Sequence, residues 1–196
     1  MGPDHTGADP GCRLAARGVW ETPLGKVEVD SELARLLRKG VPELSEDRDG
    51  LEREHSAEVV LPFLQRLWGL RQFVPIATAA VDPAFLVRLG NGLARAVQQV
   101  GEKVLLVATA QLAGHEAREP FRRQGDSLLE AIRRMDAEDL LEQAGAKGAT
   151  LCGAGALAAL LVASKALGAS AGNLVKYEIW EGSSGGLNAF AGVLFR

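Results

Sequence analysis

Four side chains of this sequence are suited to holding a metal: the imidazoles of His5, His55 and His115 and the thiol of Cys152. Imidazole nitrogen and thiolate sulfur are the donors that bind redox-capable transition metals. His5 lies in the turn-forming run Gly2-Pro3-Asp4-His5-Thr6-Gly7, where the backbone cannot be helical and the ring is free to point into a cleft or into solvent. His55 precedes a helical pattern in Glu54-His55-Ser56-Ala57-Glu58, so it either faces a pocket or solvates a helix end. His115 follows Gly114 beyond an apolar run, and in open α/β sheets ligands gather at the carboxyl ends of strands. Cys152, before Gly153, is read as opening an apolar helix. Unsatisfied amides there would stabilise a thiolate, whereas a packed apolar Cys is the plainer alternative.

The elements that must position these groups follow from hydrophobic spacing. A short extended piece over 26–30 leads into a helix capped by Asp30 or Ser31 and stopped near Gly40 and Pro42, followed by a charged loop to Glu54. From Ser56 the spacing of Val59, Val60, Phe63, Leu64 and Leu67 is helical, and Gly69 ends it. Residues 73–77 form a strand weakened by Pro75, and Asp82-Pro83 opens a long amphipathic helix to Val100. The continuous apolar run 104–108 predicts a strand buried on both faces. Helices near 120–135, 137–144 and 153–167, then strands near 174–180 and 189–195, complete an α/β layered pattern.

Composition narrows the function classes. A chain of 196 residues, 47% apolar and 24% charged, supports one core and reads as a single domain over 1–196. A net charge of −3 and a pI near 5.7 argue against a nucleic-acid partner, since the basic stretch 118–123 is broken by Glu119 and Pro120. Two cysteines make no disulfide framework, and Cys12 is assigned to a loop without a role. The longest apolar stretch, 154–163, is too short to span a bilayer, so no membrane partner and a reducing cytoplasmic setting are expected.

The ordered runs Gly2-Pro3-Asp4-His5-Thr6, Trp20-Glu21-Thr22-Pro23-Leu24-Gly25, Glu54-His55-Ser56-Ala57-Glu58 with Leu61-Pro62-Phe63-Leu64, and Cys152-Gly153 resemble the Memo family, also called AmmeMemoRadiSam system protein B. That family is similar to the class III extradiol, LigB-like dioxygenases, and the resemblance covers essentially the whole chain. It implies a central, mostly buried mixed sheet flanked by helices, with a metal-capable pocket at the strand ends. Carried over by motif, His5 and Cys152 resemble metal ligands, His115 resembles a pocket histidine that binds metal or acts in catalysis, and His55 resembles a pocket residue that acts in catalysis or stands behind the ligands. Thiolate with imidazole suits iron, copper or zinc, so the implied cofactor is Fe(II) or Cu.

Two departures bear on activity. The family's upstream Pro-His-Ala-Gly segment is absent, which predicts either a start upstream of Met1 or a shortened sheet completed by a second copy or a partner edge. An ungapped match also puts Leu112 where the family has an Asp, and leucine neither ligates nor accepts a proton. Glu116, Asp4 and Glu54 are the candidate replacements, and Trp180 with Glu181 stands where the family has small residues. The expected function is a Memo-like protein with a reduced metal pocket. The alternatives are an active Fe(II)-dependent ring-cleaving dioxygenase and a non-catalytic scaffold for a small-molecule or peptide ligand.

Overall fold

The computed structural model describes every residue except 7–10, 80–81, 102, 116, 146–147, 149 and 184. Its strands are β1 (Gly2–Pro3), β2 (Cys12–Leu14), β3 (Val19–Thr22), β4 (Gly25–Val29), β5 (Ser45–Glu46), β6 (Gln72–Phe73), β7 (Ile76–Thr78), β8 (Gln111–Gly114), β9 (Thr150–Cys152), β10 (Gly172–Glu181) and β11 (Leu187–Phe195). The helices are α1 (Ser31–Gly40), α2 (Arg48–Leu51), a 3-10 turn (Glu58–Val60), α3 (Leu61–Trp68), α4 (Pro83–Val100), α5 (Arg118–Arg133), α6 (Ala137–Ala144) and α7 (Ala154–Ala166). The chain is α/β, with its strands divided among three sheets where the sequence predicts one. Their orders are β1-β7-β2-β5, β10-β11-β8-β9 and β3-β4-β6. No helix among the described residues is long and apolar enough to cross a membrane.

Helix starts follow local chemistry. The carboxylates of Asp30, Asp82 and Asp136 accept the amides of Leu33, Phe85 and Asp139, so α1, α4 and α6 each begin on an acidic cap. Pro83 occupies the first turn of α4, where its missing N–H leaves no bond unmade. The almost wholly apolar α7 is the centre of the molecule. It packs along α4 where Gly90 comes so close that a Cβ would lie 2.7 Å from the carbonyl oxygen of Ala159. Gly90→Ala gains about 1 kcal/mol of helix propensity, but the clash is with backbone and with Val162, where overpacking costs about 1–3 kcal/mol. We therefore expect a net loss of stability, seen as a lower urea midpoint.

Several elements depart from expectation, each because tertiary partners decide burial. The run 104–108 enters no ladder among the described residues, and Leu105 is 60% exposed. Two apolar hollows, of about 720 and 790 Å³, share residues 104–107 as a wall together with Leu64 and Trp68. The predicted apolar face of α3 is likewise open: Phe63, Leu67 and Trp68 are exposed, and only Leu61 is buried. Pro75 splits the expected strand over 73–77 into β6 and β7. Cys12, assigned to a loop, is fully buried in β2, where desolvation raises its thiol to about 12.

Candidate metal-binding site

The loop after β1 carries His5, and the turn after α2 carries Glu54. The Asp4 amide donates to the Thr78 carbonyl of β7 at 3.0 Å, and the Ser56 hydroxyl ties the two loops together by donating to the Pro3 carbonyl at 3.0 Å. Beneath His5 lies a buried ionic clamp. Arg13, on β2, donates to Asp4, to Asp47 at 2.6 Å and to the Thr6 hydroxyl at 2.6 Å, while Thr6 donates twice to Asp4. Burial works against the Arg13 charge, but its bonds to Asp47 and Asp4 outweigh that and hold the guanidinium above its ordinary range. Asp4 and Thr6 flank His5, so this clamp fixes the backbone that presents the imidazole.

The Glu54 carboxylate accepts the His5 amide at 2.5 Å, the His5 Nδ1 at 2.9 Å and the Ser56 amide at 2.8 Å. Burial alone would raise its pKa. The bonds from the His5 amide and ring and the Ser56 amide outweigh burial and lower it to about 2. An ionised carboxylate only accepts, so Nδ1 carries a proton, and the nitrogen left to bind a metal is Nε2. That Nε2 faces the Cys152 Sγ at 3.1 Å. The His55 ring stacks on His5 with centroids 4.6 Å apart and planes 13° apart, its Nδ1 being 3.8 Å from Glu54. His5, Glu54 and His55 together offer ligand atoms within 4.8 Å of one another.

Cys152 ends β9 instead of opening a helix. Gly153 follows with φ +90°, and a Cβ there would lie 2.6 Å from the Thr109 carbonyl oxygen, so only glycine passes the chain from β9 into α7 at this point. The expected lowering of the Cys152 thiol does not occur. Burial and the negative charge of Glu54 raise it. A carboxylate-oriented imidazole beside a sulfur, partly open to solvent, is a soft two-donor set for a transition metal. The residues present fit such an ion.

The structure does not bring His115 to this site. Gln111 of β8 stands opposite Cys152 in the β8–β9 ladder, and His115 follows four residues later, roughly 13 Å along an extended chain. His115 instead borders a hollow of about 330 Å³ with Trp180 and Gly186. Leu112 is buried against Gly125 of α5, on the face of β8 away from Cys152. The β8 residue directly opposite Cys152 is Gln111, a neutral amide that donates to Asn188 at 2.9 Å. Of the candidate acids, Asp4 is committed to Arg13, Glu54 orients His5, and Glu116 lies outside the described residues. Gln111 escaped the sequence reading because only ladder register shows which residue of a strand faces a neighbour.

A family model described as "Memo-like protein" matches residues 1–187. Among curated proteins, a MEMO1 family protein of Methanopyrus kandleri is 32% identical over 200 residues, covering 100% of this chain and 71% of its own length. One of Methanococcoides burtonii is 36% identical over 178 residues, with coverages of 90% and 66%. One of Methanosarcina barkeri is 33% identical over 193 residues, with coverages of 98% and 72%. The chain thus spans between 66% and 72% of the length of these three relatives.

Proposed function

Because this chain belongs to the Memo-like family, we propose that it carries a reduced metal centre in which His5 Nε2 and Cys152 Sγ hold iron or copper and Glu54 orients the imidazole. The observation that supports this most is the line Glu54–His5–Cys152, with contacts of 2.9 and 3.1 Å. A carboxylate behind a ligating histidine fixes its tautomer and raises its basicity. His55, stacked on His5, closes one side of the ring, and Gln111 adds an uncharged polar group on the Cys152 face. When bound, such an ion supplies Lewis acidity or one-electron chemistry at a partly open point.

Ring cleavage asks for a facial pair of histidines and a carboxylate with open positions. The positions of His115, Leu112 and Gln111 weigh against that reading and favour the reduced site. Protein purified without oxygen and loaded with Fe(II) or Cu(I) is expected to retain metal by elemental analysis. Cys152→Ser and His5→Ala should each weaken retention by about tenfold or more, and His115→Ala should leave it unchanged. A parent protein that takes up neither ion would end the proposal. Oxygen uptake with catechols, abolished by His115→Ala, would instead favour ring cleavage.

A further inference from the structure

We propose that two copies of this chain pair through the free edge of β10, antiparallel about a two-fold axis at Tyr177, to make one continuous eight-stranded sheet from two four-stranded ones. This does not rest on the metal reading. β10 is ten residues long and stands at the end of its sheet, so one row of its backbone N–H and C=O groups faces outward. A long unprotected edge is a template for another strand.

The side chains on that edge specify one register. Pairing with β11 sets Glu178 opposite Phe190 and Trp180 opposite Asn188 on the outer face, while Tyr177 and Ile179 turn toward α5. Two edges that join with α5 on the same side of both must pair residues sharing a face, so the axis passes through a residue. Centred on Tyr177, Lys176 of each copy stands opposite Glu178 of the other, two opposite-charge pairs at cross-strand distance. Centred on Lys176 or Glu178, like charges face each other, and centred on Ile179, Glu178 meets Trp180. Lys176 and Glu178 already touch at 2.9 Å within the strand, so the pairing makes a ring of four alternating charges. The register shift at Val175 falls opposite Ile179 in both copies, at the two ends of the paired stretch. Trp180, 58% exposed and just beyond that stretch, and Val175, 66% exposed at its end, supply apolar surface that the partner covers.

Sedimentation equilibrium from roughly 10 µM to 1 mM, the range suited to a small interface, should show the parent passing from monomer to dimer. Lys176→Glu or Glu178→Lys alone should weaken the dimer at least tenfold, and the two together should restore it to within about threefold. Both side chains are mostly exposed, at 70% and 65%, and circular dichroism of each variant should match the parent. Mixed Lys176→Cys and Glu178→Cys chains should form a heterodisulfide that neither forms alone. A parent that stays monomeric to 1 mM, single reversals without effect, or a double swap that does not restore pairing would each overturn the proposal.

Discussion

Arg13→Ala should lower the folding stability by about 3–5 kcal/mol, read as a fall in the urea midpoint at unchanged slope. Arg13 and Asp4 are both fully buried, at 0% side-chain exposure, and Asp47 closes the other side of the guanidinium. Removing the cation leaves the Asp4 carboxylate in a low-dielectric interior with Thr6 alone, among the described residues, to satisfy it. The large loss comes from that unpaired charge and not from the net worth of the pair, because the pair's own desolvation offsets most of its attraction. Hence Arg13→Met combined with Asp4→Leu should recover much of the loss, with a coupling of about 2 kcal/mol or more between the sites. A coupling below about 0.5 kcal/mol would show that the two act independently and that no clamp exists. The Arg13 Nε is buried without an acceptor among the described residues, which marks the clamp as costly as well as tight. Since Asp4 and Thr6 bracket His5, the single variant should also loosen metal retention more than Gly90→Ala, which is as deep in the molecule but far from the loop in sequence.

The parts of this fold that sequence reading recovers are those decided locally. Asp30 and Asp82 cap their helices through amides three residues on, and Gly69 ends α3 in left-handed conformation. The parts it misses are decided at a distance. Cys12-Arg13-Leu14 is buried throughout as β2, and a buried Arg13 is tenable only because Asp4 and Asp47 converge on it from separate loops. The run 104–108 has the composition of a covered strand, but composition states a need for cover and not what supplies it. In the candidate site, His5 and Cys152 stand out by their motifs, and the fold brings them to 3.1 Å from each other. Glu54 is one of three candidate acids in the sequence and is set apart by its contacts with His5, while the register of β8 carries His115 away from Cys152 and turns Leu112 inward.

Glu54→Gln is the sharpest test of the site itself. Glu54 is depressed from 4.5 to about 2, and its side chain is only 1% exposed. A group whose folded pKa lies below its unfolded value stabilises the fold fully above the unfolded pKa and loses that contribution as pH falls through the folded one. A drop of this size corresponds to about 3 kcal/mol. In metal-free protein, Glu54→Gln should therefore be less stable than the parent by that order at pH 7. The gap should begin to close near pH 4.5 and be almost gone near pH 2, where the parent's carboxyl is itself protonated. A glutamine cannot accept from the His5 amide, the His5 ring and the Ser56 amide at once, because its own NH₂ must turn toward one of these donors. The imidazole then loses its fixed tautomer, and metal affinity should fall about 10–100-fold. The two readouts separate the roles: a stability gap that ignores pH would mean that Glu54 is not ionised in the fold. A normal gap with undiminished metal affinity would mean that Glu54 holds the loops together but does not orient the ligand.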